Sequence, residues 1–429
     1  MFKQENYQSY LDILHEELIP AMGCTEPISV ALGAAVAVKY LKQFPTKIKI
    51  QSSGNIIKNA KSVVVPNTGG LKGMQASLLA GAVGGDADRG LEVLESMTEA
   101  DVKKVNELMD TGIVEIEQLD TPAVLHTITT VTDGTDTVEV EIIHFHDNVV
   151  RITVNGKDIL KKDFDVNAGE EDASYTDRSV LSVDQILDFI EIAKLEDYKD
   201  MLDLQIKNNM AIAEEGIKHD YGINVGRTII EMGHNSLESR VKGLAAAGSD
   251  ARMGGSAMPV VTNVGSGNNG MAGSIPVIVY AQDKNYSQDK LYKALLLSDL
   301  ITIHVKTGIG RLSCFCGVVI AGCGTAAGIA YLDDCTRDQI KKAITNVLGD
   351  LSGMICDGAK ESCPSKIASA VDAALVGVAL AKENKVFGNG CGIIEGDIEG
   401  TIKNVGELGR IGMKETDATV LDIMTHIKN

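Results

Sequence analysis

Thiols are the residues of this sequence best equipped for chemistry. Eight cysteines occur, and seven of them fall between Cys314 and Cys391, with Cys24 alone near the N-terminus. A thiolate is a soft ligand suited to iron–sulfur and other soft metal centres. No C-x-x-C pair and no ferredoxin-type run is present, so a zinc ribbon, a thioredoxin-like motif and a saturated electron-transfer cluster have no support. Spacing alone leaves two readings open: small buried hydrophobes, or a metal site assembled from cysteines distant in sequence. Cys316 and Cys363 each stand where a helix is expected to begin, and helix N-termini stabilise anionic thiolates.

Polar side chains in glycine-rich turns are the second group. Ser53 and Asn55, the turn Asn67-Thr68-Gly69, and Ser266 with Asn268 and Asn269 could present donors to a small polar ligand. Glycine there lets backbone N–H groups approach a carboxylate. Gly265–Gly270 matches G-x-G-x-x-G, but a dinucleotide site needs a helix directly afterwards. The continuation, with Pro276 inside a β-like run, is expected to be a strand. His144 and His146 share one face of an expected strand and read as a surface pair. Lys306, Arg311, Lys360 and Lys366 lie near the cysteine-rich stretch. Lys360 and Lys366 are candidates for a general base if burial lowers their pKa.

The elements that must position these groups divide into three parts. Residues 1–110 read as an N-terminal α/β part carrying Cys24, with a strand over 47–51. Residues 111–180 read as a β-rich subdomain, near 112–160, followed by an acidic linker; Asp133-Gly134 and Asn155-Gly156 are hairpin turn signals. Residues 181–429 read as helix-rich, with helices over 287–304, 317–331, 336–350, 364–383 and 415–427. Pro364 suits a first helical turn. The fold class expected is α+β.

Charge narrows the partners. With 40 basic and 59 acidic residues among 429, the formal charge is −19. That argues against nucleic acid, whose binding is dominated by phosphate neutralisation; it equally disfavours an anionic membrane surface. The polar N-terminal stretch lacks the apolar core of a signal peptide, and the charge-free run 312–332 contains four glycines and reads as a buried helix. A cytoplasmic protein with reduced thiols and a small-molecule amino-acid substrate, free of nucleic acid and membrane, is expected. A homo-oligomer is left open.

Six segments in this order resemble one family: Gly23-Cys24-Thr25-Glu26-Pro27, Ser53–Ala60, Pro66–Gly73, Gly265–Gly270, Leu312–Gly317 and Gly353–Lys360. The chain is similar, nearly end to end, to the L-cysteine desulfidases, which are related to the α-part of iron–sulfur L-serine dehydratases. The resemblance implies a [4Fe–4S] cluster held by three cysteines, Cys24, Cys316 and Cys356, with Cys314 and Cys363 as competitors. It also implies elimination of sulfide from L-cysteine to give pyruvate and ammonia, one iron serving as a Lewis acid. L-Serine dehydration by the same chemistry, or a non-catalytic iron–sulfur or amino-acid sensor, are the alternatives.

Overall fold

A computed structural model describes residues 2–167, 176–310 and 313–426. Arg311 and much of the expected acidic linker lie outside them. The fold is α+β: a six-stranded mixed sheet packed on helices, joined to a larger helical body.

Across the sheet the strands run Val114–Gln118, Lys47–Ser52, His126–Thr132, Thr137–Ile143, Val149–Val154 and Lys157–Lys161. The first two are parallel and the remaining pairs antiparallel. The sheet is therefore not confined to 112–160: the N-terminal strand Lys47–Ser52 lies between two later ones. Its alternation explains the placement, since Ile48 and Ile50 turn inward while Lys47 and Lys49 pair with Glu115 and Glu117 on the neighbouring edge. Ile48 and Ile50 meet Val30, Ala34 and Leu78 from the helices Thr25–Val38 and Gly73–Gly84, which cover that face.

The helical body matches the expected spans closely: Gln288–Thr307, Gly317–Leu332, Arg337–Leu351, Cys363–Lys382 and Lys414–His426. Capping explains several starts. Thr336 and Gln339 form a reciprocal capping box, and Pro364 occupies the first turn of its helix. Cys363–Lys382 is long and apolar enough by composition to cross a membrane, yet it packs against Leu237–Met253, Gly317–Leu332 and Arg337–Leu351.

One element departs from expectation. The stretch after the glycine turn is a helix, Gly267–Asp283, not a strand, although Pro276 lies inside it. Pro276 cannot donate to the carbonyl of Ala272. Thr325 Oγ1 supplies the missing donor at 2.6 Å. The β-branched run that suggested a strand is buried on nearly every side, so its composition reflects a core helix. A helix does follow the G-x-G-x-x-G sequence, but among the described residues the strand before it, Pro259–Val261, pairs only with Pro20–Met22 in a two-stranded antiparallel ribbon. The parallel sheet of a dinucleotide fold is not built there.

That ribbon joins the N-terminal segment to the strand that leads into Gly267–Asp283. Directly after Met22 the backbone turns at Gly23 (φ +58°), where a Cβ would stand 2.2 Å from Pro66 Cγ, and it delivers Cys24 to the helical body.

Candidate functional site

The ends of four helices converge on one cavity of about 110 Å³. Cys24 precedes Thr25–Val38, Ser266 precedes Gly267–Asp283, Cys316 precedes Gly317–Leu332, and Cys363 opens Cys363–Lys382. All four residues line the cavity. Four N-termini aimed at one space give it a positive electrostatic bias that favours thiolates and carboxylates.

Cys316 and Cys356 are brought together by a single antiparallel bridge between Phe315 and Ile355. The Cys316 N–H donates to Met354 O at 2.9 Å, and the Cys356 N–H donates to Cys314 O at 2.6 Å. The two thiols share a hydrogen bond. It pushes Cys316 well above the usual thiol range, with burial adding to the effect, and draws Cys356 below it against burial. One sulfur of the pair is thus disposed to ionise. Cys24 is buried with Val63 and Met253 in a small cluster against which Ala359 and Cys363 pack, and its thiol donates to Glu26 Oε2 at 2.9 Å. Burial, with Glu26, raises the Cys24 thiol well above the ordinary range. Cys314, though two residues from Cys316, does not line the cavity: the chain bends at Cys314 rather than staying extended, and its side chain joins the main core.

Glu26 is buried and accepts from Asn59 Nδ2 at 2.8 Å and from Thr25 Oγ1 at 3.2 Å, with His146 Nε2 4.0 Å away. Burial works to raise its pKa, but His146, the Cys24 thiol and Arg252 outweigh it and hold the carboxyl below its usual value. Arg252 is 2 % exposed and lines the cavity. Among the described residues its Nε has no hydrogen-bond partner. Gly267 makes room for it, since a Cβ there would stand 2.5 Å from that Nε. Asn269 lies equally close to Gly317.

The other expected residues are placed as follows. Ser266, Asn268 and Asn269 line the cavity, as does Lys366. Ser53, Asn55, Asn67, Thr68 and Gly69 do not. Ser53 Oγ donates to Val124 O at 2.8 Å, Asn67 Nδ2 to Leu94 O at 2.9 Å, and Thr68 Oγ1 to Val65 O at 2.7 Å. Ser53 and Asn67 hold distant backbone carbonyls and Thr68 closes a turn, while the helix Gly54–Ala60, which Ser53 precedes, reaches the cavity through Asn59. Lys360 is outside the lining and pairs with Asp357. Lys366 also pairs with Asp357, at 2.6 Å. Burial alone would lower the Lys366 pKa, but Asp357 and the nearby thiols raise it, so its ammonium holds its proton.

Glu26, Asn59, His146, Arg252 and Lys306 complete the wall. Glu26 and Asn59 sit inside segments already singled out by sequence, and His146 was read as a surface residue. No sequence signal singles out Arg252, since its helix Leu237–Met253 also carries Arg240, which pairs with Asp283 instead.

The chain matches the family model described as serine dehydratase alpha chain over residues 88–422. It belongs to the serine dehydratase alpha chain family. Full-length relatives agree: UPF0597 proteins of Desulfitobacterium hafniense (47% identical, covering 97% of this chain and 96% of the relative), Treponema denticola (45%, 98% of each) and Finegoldia magna (44%, 97% and 99%). Membership in the serine dehydratase alpha chain family supports a lyase of the iron–sulfur-dependent dehydratase type.

The donor set suits such a group. Four thiols, Cys24, Cys316, Cys356 and Cys363, line one cavity beside a buried arginine with an open Nε donor. Among the described residues no three His, Cys, Asp or Glu side chains are gathered tightly enough to grip a single ion. A polynuclear core has a different requirement, because each cysteine binds its own iron around an inorganic centre.

Proposed function

We propose that this protein is a cytoplasmic lyase that eliminates sulfide from L-cysteine, with a [4Fe–4S] cluster held by Cys24, Cys316 and Cys356. The observation that carries this reading is that these three thiols, from opposite ends of the sequence, line the same cavity as Arg252. A three-cysteine cluster supplies one open iron as a Lewis acid for a leaving thiolate or hydroxide.

The chain's own residues do the rest. Arg252 offers a planar fork to the α-carboxylate, and the Asn268 and Asn269 side chains add polar contacts at a helix N-terminus. Lys366, held protonated beside Asp357, contributes positive charge at the wall. Glu26, close to His146, is the carboxylate best placed to accept the proton from the α-carbon. Loss of that proton and of HS⁻ from L-cysteine leaves 2-aminoacrylate. Its tautomer takes up water to give pyruvate and ammonia. With L-serine the same elimination expels hydroxide, and the family assignment favours that as the second reading.

The test is an anaerobic assay of pyruvate and sulfide from L-cysteine, run beside pyruvate from L-serine. A kcat/KM at least tenfold higher for L-cysteine supports the proposal. Preference for L-serine transfers it to the dehydratase reading, and pyruvate from neither, with an intact cluster, favours a sensor.

A further inference from the structure

A second, larger cavity of about 590 Å³ abuts the thiol cavity. Among the described residues, two are common to both walls: Val264 and Lys306. We infer that the larger cavity is the vestibule through which a small zwitterionic amino acid reaches the thiols, and that Val264 is the gate between the two. The choice of traveller rests on the function proposed above.

Backbone conformation singles out Val264. It lies with Gly265 in a two-residue turn closed by Asn263 N–H to Ser266 O at 3.1 Å and Ser266 N–H to Asn263 O at 3.2 Å. Both central residues have positive φ, +47° for Val264 and +68° for Gly265. Such turns favour Asn-Gly, because a β-branched side chain crowds the backbone at positive φ. A valine there persists only where its surroundings over-determine it, and such strain collects at functional positions.

The surroundings are indeed fixed. Asn263 Nδ2 donates to Asp299 Oδ1 at 2.9 Å, Thr262 Oγ1 to Glu17 O at 3.1 Å, and Thr25 Oγ1 to Gly265 O at 3.2 Å. The turn is thus tied to the helix that carries Lys306 and to the helix start that carries Cys24. Relaxed residues such as Asn would satisfy the turn; valine puts an apolar, 8 % exposed side chain at the junction instead.

The vestibule's charges suit a molecule without net charge. Arg178 and Lys403 face it together with Glu17, Asp177 and Glu399; Arg178 pairs with Glu17 at 2.9 Å, and His304 meets Glu399 at 2.8 Å. A wall whose signs are balanced in pairs neither attracts nor repels a zwitterion on net charge, and gives a simple anion no net attraction.

Thiol labelling tests the gate without any turnover. The full chain is stripped of iron by chelation, checked for native circular dichroism, and labelled with iodoacetamide or the bulkier fluorescein-maleimide. Peptide mapping follows Cys24 and Cys316, with exposed Cys391 as the internal reference. Val264→Gly and Val264→Asn both relieve the backbone, but only glycine removes the side chain. The gate predicts that Val264→Gly labels Cys316 at least tenfold faster than wild type with the bulky reagent, while Val264→Asn stays within about threefold. Equal labelling of the two variants, or a Val264→Gly rate equal to wild type, overturns it. Because no substrate is used, this outcome and that of the pyruvate assay are independent.

Discussion

Cys24 and Cys316 occupy the same position in two different helices. Each is the extended residue immediately before a first helical turn, with φ/ψ of −81°/131° and −65°/121°, and each lines the same cavity. Short backbone pairings place both: Pro20–Met22 on Pro259–Val261 for Cys24, and Phe315 on Ile355 for Cys316 and Cys356. The constellation therefore depends on contacts between segments remote in sequence.

Arg252 should govern substrate affinity. Arg252→Lys keeps the charge but loses the fork that matches a carboxylate. Its kcat/KM is expected to fall at least tenfold, about 1.4 kcal/mol, chiefly through KM, with iron content unchanged. Steady-state kinetics beside iron analysis checks this; an unaltered KM removes Arg252 from substrate binding.

The two lysines should separate. Lys360→Met is expected to stay within about twofold of wild-type activity, because Lys360 does not line the cavity. Lys366→Met should lower kcat/KM about tenfold or more by removing a charge from the wall. Equal effects from both would point to Asp357, their shared partner, as the group that matters.

Cysteines outside the cavity should be matters of packing. Cys323 is fully buried with apolar neighbours, so Cys323→Ala should cost about 1–2 kcal/mol of stability and no iron. Cys314→Ala should behave alike, since its side chain is in the core. Iron analysis and chemical denaturation of both variants distinguish packing from ligation.

Asp299 should make stability depend on pH. It is fully buried, and burial raises its pKa to about 7 despite hydrogen bonds from Gln205 and Asn263. The folded value lies above the unfolded one, so the neutral form stabilises the fold. That contribution is whole below about 3.8 and is lost as pH rises through about 7. Wild type should lose up to about 1.4 kcal/mol per pH unit within that window relative to Asp299→Asn. Denaturation at pH 5 and pH 8 reads the difference; a constant gap between the two proteins contradicts it.

The helical body was legible because apolar periodicity, capping residues and Pro364 act locally. The helix Gly267–Asp283 was not, because its β-branched run is buried on nearly all sides and the donor that tolerates Pro276 comes from Thr325, outside it. In the site, motif resemblance pointed to cysteines that the fold does bring to one cavity. It could not separate Asn59, which reaches the cavity, from Ser53 at the start of the same short helix, which spends its hydroxyl on Val124 and His126. Arg252 and His146 carry no motif of their own, and only tertiary packing reveals them. Nor does local pattern show that Lys47–Ser52 enters a sheet between two strands that come later.

The central claim is that Cys24, Cys316 and Cys356 together hold one iron–sulfur group. Iron and acid-labile sulfide per chain, measured on anaerobically purified wild type and the Cys24→Ala, Cys316→Ala, Cys356→Ala and Cys363→Ala variants, test it most directly. About four irons and four sulfides in wild type and Cys363→Ala, with loss in the other three, are predicted. A wild type that binds no iron under reconstitution, or a Cys24→Ala variant that keeps its iron while Cys363→Ala loses it, would contradict the assignment.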